Sequence, residues 1–167
     1  WNPLTYLTSD GFNGSIVARA RTLSRIYGDA ARATGGKAAA SSYDPFWDGG
    51  GDMVRSHLLA AAALDGKSMA DVHRWAAKET DVDPVDILRA HGLASSASEL
   101  QGALDLPADT KGGVWASARM GLGWVADPAI EAWWTPGKTR QAFDPAVFVQ
   151  SRQTLYSLSA DSTEATP

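Results

Sequence analysis

The run from Met53 to Leu64 constrains the fold more than any other part of the sequence. From Leu58 onward it has no polar side chain, and it contains four consecutive alanines. Alanine is the strongest helix former, and a helix that is apolar on all sides is stable only inside a protein. The run therefore predicts a central helix over Val54 to Leu64. We expect an all-α fold, a compact bundle of about seven helices around this Ala/Leu-rich helix.

Helical periodicity and helix-ending residues predict the other members of the bundle. The expected helices cover about 12–33, 69–79, 84–91, 96–104, 109–126 and 145–149. Asp52 is expected to cap the central helix after a break at Gly49-Gly50-Gly51, and Phe46-Trp47 to fill a groove between helices. Trp1 to Ser9 is expected to be extended, and alternation over Thr154 to Leu158 predicts one strand.

The first long helix carries the most prominent charged pattern. Its inner face is expected to hold small and apolar residues at helical spacing, namely Ile16, Ala20, Leu23, Tyr27 and Ala30. Arg21, Arg25 and Arg32 fall within roughly 40° of one another at about 100° per residue, and we call them the basic stripe. The stripe is either a solvated helix face or a contact surface for a partner or for DNA.

Charge is unevenly distributed along the chain, whose formal net charge is −4. Residues 1–40 contain five Lys/Arg against two Asp/Glu, and residues 41–109 contain five against twelve. This distribution excludes a uniformly basic nucleic-acid-binding protein, so any contact with a polyanion must be local. Cys is 0, which excludes disulfides and thiolate metal sites, and no apolar run is long enough to predict a transmembrane helix.

Three local patterns suggest sites, and each has a simpler interpretation. Gly35-Gly36-Lys37-Ala38 lacks the first glycine and the Ser or Thr of a phosphate loop, so a plain loop is favoured. The histidines His57, His73 and His91 have no i, i+4 pairing, and His57 is expected to be a hydrogen-bonded interior residue. Asp81, Asp83 and Asp86 lack the Gly and Glu of a calcium loop, so capping explains them better. No catalytic or metal-binding residue and no cofactor is therefore predicted, and the chain itself is expected not to be an enzyme.

An ordered set of segments resembles one family. The set comprises Trp1-Asn2-Pro3-Leu4, the run Leu58 to Leu64, Met69 to Trp75, Phe143-Asp144-Pro145 with Phe148, and Thr154-Leu155-Tyr156. In this order they resemble the coupling proteins of type IV secretion and conjugation systems, in their actinobacterial form. These are membrane-anchored, DNA-translocating ATPases of the TraG/TraD kind. The chain is similar to their all-α domain, which is inserted into the nucleotide-binding domain.

The resemblance implies an organisation and a role. Residues 1–167 would form a single domain, with 1–9 and 153–167 as connections to an ATPase domain elsewhere in a longer protein. The absence of an initiator Met agrees with that expectation. ATP and magnesium would bind to the Walker motifs of the other domain. The longer protein would be a hexamer at the cytoplasmic face of the membrane, whereas this domain would not insert into the membrane and would be monomeric in isolation.

Three functions remain open from the sequence. The first is a non-catalytic domain that helps to select relaxase–DNA or protein cargo for transfer. The second is a DNA-contacting helical module that uses Arg21, Arg25 and Arg32. The third is a free-standing helical enzyme, which no catalytic constellation favours. The net acidity of the chain argues against strong nonspecific DNA binding and fits a protein partner with a basic signal better.

Overall fold

The structure, a computed structural model, describes residues 2–10, 13–34, 43–128, 130, 145–154 and 156. These residues form helices and contain no strand, so the all-α prediction is confirmed. A 3₁₀ turn at Gly123–Ala126 follows the seventh helix. The α-helices are α1 Pro3–Thr8, α2 Ile16–Thr34, α3 Trp47–Leu64, α4 Met69–Ala77, α5 Asp83–Ala90, α6 Ala94–Leu104, α7 Ala108–Met120 and α8 Pro145–Val149.

Helix α3 is the centre of the bundle, as its alanine-rich run predicts. Every residue from Val54 to Ala62 is buried. The helix packs most extensively against α2 and α7 and also contacts α1, α4, α5 and α6. Its apolar partners are large and fully buried side chains of the surrounding helices, among them Leu7, Val72, Trp75, Leu88, Leu100 and Trp115.

The start of α3 differs from the prediction. The helix begins at Trp47, and Asp52 lies inside it rather than at its cap. Asp44 takes the capping role, because its carboxylate accepts hydrogen bonds from the backbone N–H groups of Phe46 at 2.8 Å and Trp47 at 3.0 Å. The Asp48 carboxylate in turn accepts the backbone N–H of Asp44 at 2.8 Å. This reciprocal arrangement satisfies the donors that the first turn leaves unpaired.

The glycines before the alanine run do not break the helix, contrary to the prediction. All three lie within α3, and Gly50 and Gly51 are the two that α7 approaches closely. A Cβ atom at Gly51 would stand 2.6 Å from the Cβ of Ser117, and one at Gly113 on α7 would overlap the Trp47 ring. Tertiary packing therefore overrides the low helix propensity of glycine at this crossing.

The N-terminal segment is helical and not extended as predicted. Asn2 itself is extended, as a residue before proline should be, and its side chain accepts the backbone N–H of Leu4 at 3.0 Å. Pro3 then occupies the first position of α1, where a missing N–H costs nothing. The short helix buries Leu4 and Leu7 against the bundle.

Helices α4 and α5 begin at their predicted places, with one change of capping residue. Ser68 and Asp71 form a reciprocal capping box at the start of α4, as the sequence indicates. Asp83 is the first residue of α5 and not its cap. The carboxylate of Asp81 accepts the backbone N–H of Asp83 at 3.2 Å instead. Helix α5 ends at Ala90 with His91 as its C-cap, and Gly92 follows with a φ of +77°, a conformation that favours glycine.

Three further predictions need correction. The helix expected over about 109–126 ends at Met120, because a turn at Gly121 leaves room for the side chain of Arg55. Ala30 is exposed, although the rest of the predicted inner stripe of α2 is buried or half-buried. Thr154 and Tyr156 are not in a strand, and the other residues of the strand predicted at 154–158 lie outside the described part.

Candidate functional site

The basic stripe lies on one face of α2, but two of its three arginines have carboxylate partners. Nη2 of Arg21 lies 3.6 Å from Oε2 of Glu99 on α6. Arg32 pairs with Asp29, one turn away on α2, and its Nη1 lies 3.5 Å from Oδ1 of Asp48 on α3. Arg32 is half-buried in this arrangement. The stripe is therefore partly neutralised by the protein's own acids.

Arg25 is the exception in the basic stripe. Its side chain is exposed, and no carboxylate in the described part of the chain lies within 4.0 Å of its guanidinium. An exposed and unpaired guanidinium retains five donors for a ligand. Arg25 is thus the member of the stripe that is best placed to bind a partner.

A groove between α2 and α3 brings Arg25 together with four other side chains. This α2–α3 groove encloses about 510 Å³ and is open to solvent. Among the described residues, it is lined by Arg25, Asp29, Arg32, Tyr43 and Asp52. The Arg32 guanidinium carbon lies 5.4 Å from the centre of the Tyr43 ring, within the range of a cation–π contact.

Asp52 connects the groove to Arg55, a buried arginine that the sequence analysis did not single out. Nη2 of Arg55 donates to Asp52, and Nε donates to the hydroxyl and carbonyl oxygens of Ser24 at 3.1 and 3.2 Å. Nη1 donates to the carbonyl oxygens of Ser117 and Ala118 at 3.1 and 3.0 Å. We call this set the Arg55 junction, because it joins α2, α3 and the C-terminal turn of α7.

The charges of the Arg55 junction serve packing. Burial raises the pKa of Asp52, and the positive charges of Arg55 and Arg32 only partly oppose this. Burial likewise lowers the pKa of Arg55, although arginine stays protonated in proteins. The cost of removing such a pair from water offsets much of its electrostatic attraction. Its hydrogen bonds therefore fix the relative placement of the helices more than they add to the free energy of unfolding. Arg55 is fully engaged and is not a candidate ligand-binding cation.

Three aromatic side chains at the start of α3 remain at the surface beside these charges. Tyr43 is 52% exposed, Phe46 58% and Trp47 40%. Trp47 lies against Gly113, and the Phe46 ring meets it edge-on with the centroids 4.8 Å apart. Phe46 and Trp47 were predicted to fill a groove between helices. One side of the Trp47 ring does pack against α7 at Gly113, whereas Phe46 is mostly exposed, so the prediction is wrong for Phe46.

His57 is an interior hydrogen-bonded residue, as predicted. Its Nε2 lies 2.8 Å from Oε2 of Glu99, which also faces Arg21. Burial lowers the pKa of His57, and Glu99 opposes the shift. Nδ1 is buried and has no partner in the described part of the chain, so the neutral ring is favoured. The side chain is inaccessible to a substrate.

The other sequence patterns do not form a site in the described residues. Asp81 is buried and pairs with Arg74 at 3.2 Å, which agrees with a structural role. No group of three His, Asp or Glu side chains in the described ranges could hold a metal ion. None of the helices described is long and apolar enough to cross a membrane. Gly35-Gly36-Lys37-Ala38 lies outside the described residues.

Sequence reasoning found one side of the α2–α3 groove and missed the other. The spacing of Arg25, Asp29 and Arg32 at i, i+4 and i+7 could have shown that Asp29 shares the face of the stripe. No sequence signal brings Tyr43 and Asp52 to it, because that depends on where α3 crosses α2.

A scan of protein-family models finds no match to the chain, and searches of curated proteins and of solved structures find none either.

Proposed function

We propose that this chain is a non-catalytic substrate-recognition domain of a type IV secretion coupling ATPase, which helps to select relaxase–DNA or protein cargo for transfer. The observation that carries the proposal is the α2–α3 groove, where charged side chains of both signs meet a half-exposed tyrosine. Such a lining suits a polypeptide, which offers charged, polar and apolar groups together. Nucleotide and magnesium would bind to another domain of the longer, membrane-anchored hexamer.

The charge balance around the groove favours polypeptide over nucleic acid. Among the described residues, the groove lining holds two arginines, Arg25 and Arg32, and two aspartates, Asp29 and Asp52. A nucleic-acid backbone binds by exchanging its counterions for an excess of protein cations. The described lining therefore has no excess of cations over carboxylates, although Arg25 itself has no described carboxylate within 4.0 Å, and the gain available to a phosphate backbone is small.

A second function, direct DNA contact through the basic stripe, rests on a separate observation. The side chains of Arg21 and Arg25 are both exposed. If they contact phosphates, the affinity for duplex DNA should fall steeply as the salt concentration is raised. Arg25→Ala should then reduce the slope of log affinity against log salt concentration by roughly one.

One binding experiment separates the two functions. The immobilised domain is presented with duplex DNA and, in parallel, with the relaxase and the terminal tails of secreted proteins from the same transfer system. Saturable binding of a tail or of the relaxase that persists as salt is raised supports the proposal. Micromolar DNA binding with a steep salt slope, and no polypeptide binding, would replace it with the second function.

The family assignment has its own test, which does not depend on binding. The gene region around the sequence should encode a Walker A motif upstream and a Walker B motif downstream, in one reading frame with this domain. An open reading frame that lacks both motifs would contradict membership in a coupling ATPase.

A further inference from the structure

We infer that the α2–α3 groove recognises an acidic side chain next to an aromatic one in the bound polypeptide, with Arg25 as the residue that reads the acid. The inference rests on the proposed function and names the chemistry of the segment bound. It follows from which groups of the groove are already engaged and which are not.

The carboxylates of the groove are occupied by the protein itself. Asp29 pairs with Arg32, and Asp52 accepts a hydrogen bond from Arg55. A basic ligand would have to displace these internal partners before it could bind. Arg25 has no such partner among the described residues, so it is the charged group of the groove lining that remains available to a ligand. A carboxylate is the ligand that complements it, since guanidinium and carboxylate groups pair through two parallel hydrogen bonds.

The aromatic requirement comes from Tyr43. Its ring is held beside the Arg32 guanidinium, and half of its surface remains exposed on the groove wall. Phe46 and Trp47 extend exposed aromatic surface along the same turn. Aromatic pairs gain energy beyond the area they bury, so an aromatic side chain of the ligand is favoured on this wall.

The acid is assigned to a Glu or Asp side chain rather than to a chain terminus. Terminal carboxylates are typically captured by clusters of backbone N–H groups. The groove presents side chains, and the first-turn N–H groups of Phe46 and Trp47 already donate to Asp44. An internal segment of extended polypeptide can therefore pass through the open groove.

Matched short peptides test the inference directly. The probes are acetyl-Glu-Trp-amide, its isostere acetyl-Gln-Trp-amide and acetyl-Gln-Trp with a free terminal carboxylate. Each is titrated through the millimolar range while NMR follows the Arg25 Nε–H signal and the Tyr43 backbone amide. We expect the Glu peptide to shift both signals and to bind about threefold to tenfold more tightly than the Gln amide, as one charge-assisted contact allows.

Arg25→Gln should remove the preference for Glu and leave weak binding of both amides. Arg89→Gln is the matched control, because Arg89 is an exposed arginine on α5 that pairs with Asp86 and does not line the groove. This control should retain the preference. Equal binding of the Glu and Gln amides by the unmodified protein would overturn the inference, as would tighter binding of the peptide with the free terminus.

The inference and the proposed function fail in different ways. If the relaxase or a secreted tail shifts the groove signals but the Glu peptide shows no advantage, the acidic-residue inference is wrong and the function stands. If the Glu peptide binds as expected but neither kind of cargo binds, the function is wrong and the chemistry of the groove stands.

Discussion

The two halves of α3 are both packed inside the bundle, but different kinds of interaction hold them there. Residues 47–55 contain three glycines, two aspartates and the buried Arg55, whereas residues 56–64 are almost entirely Leu and Ala. The second half is held by apolar area, which has little directional preference. The first half is held by close backbone contact and directional hydrogen bonds, which fix how α2 and α7 are placed. The exposed groove lies over the directional half.

The largest expected effect comes from breaking the directional half at Arg55. Arg55→Met keeps an unbranched side chain but leaves Asp52 without its buried partner and the carbonyls of Ser117 and Ala118 without donors. We expect a loss of about 3–5 kcal/mol in the free energy of unfolding, measured by urea denaturation. Arg55→Lys keeps the charge without the five-donor fork, and it should recover only part of the loss. A loss below about 1 kcal/mol for Arg55→Met would show that apolar packing alone holds this half.

The apolar half is tested by Leu59→Ala. Leu59 is fully buried, so the change removes apolar area and leaves a cavity. The expected loss is about 2–5 kcal/mol, smaller if the helices close around the cavity. Met120→Ala, at an exposed apolar position on α7, is the matched control and should change the free energy of unfolding by less than about 0.5 kcal/mol. Equal effects of the two changes would contradict the central position of α3.

His57 lies at the start of the apolar half, and it gives the comparison a pH dependence. Its pKa in the folded protein is lowered from the ordinary value of 6.5, chiefly by burial. The unfolded chain therefore takes up the proton first, and stability is expected to fall as the pH drops below about 6.5. The groups that face the ring are Glu99 on α6 and, through it, Arg21 on α2.

Urea denaturation at a series of pH values measures this dependence, and His57→Gln should remove the His57 part of it. Glutamine can still donate to Glu99 but does not titrate. A variant with the same pH dependence as the unmodified protein would exclude His57 as the source.

The smallest effects are expected at the helix caps. Asp44→Ala and Ser68→Ala each remove a side chain that accepts first-turn N–H groups, and each should cost about 1 kcal/mol by thermal denaturation. Asp44 caps the directional half of α3, and Asp48 also contacts it. Asp44→Ala should therefore also raise the hydrogen-exchange rates of the first turn, whereas Ser68→Ala should not affect α3. An unchanged first turn in Asp44→Ala would show that packing against α7 fixes the start of α3.

The fold was predictable where the pattern was apolar and local. The alanine run identified the central helix. Helical spacing likewise identifies the buried residues Val72, Trp75 and Ala76 of α4 and Val114, Trp115 and Ala118 of α7. The start of α3 was not predictable, because Gly49-Gly50-Gly51 indicates a break unless the approach of α7 is known. Asn2 and Pro3 could have been interpreted as the cap and the first residue of a helix. The prediction instead applied the extended backbone of Asn2 to the whole segment from Trp1 to Ser9, which was wrong.

The candidate site was predictable only in part, for a physical reason. The basic stripe follows from helical spacing along one element. Its neutralisation by Glu99 and Asp48 depends on which helices pack beside α2, and that is a tertiary property. Arg55 has no local signal at all, since a single arginine before an apolar run is usually a surface residue.

The Arg55 junction also has a consequence for the order of folding events. Its hydrogen bonds link residues 31, 62 and 63 positions apart in the sequence. The guanidinium can lose its water only after α2 and α7 are both in place, so these contacts are expected to form after the rate-limiting step. Arg55→Met should then accelerate unfolding and leave the refolding rate almost unchanged. The junction would therefore determine the unfolding rate of the domain, and hence its lifetime in the folded state, and not its folding rate.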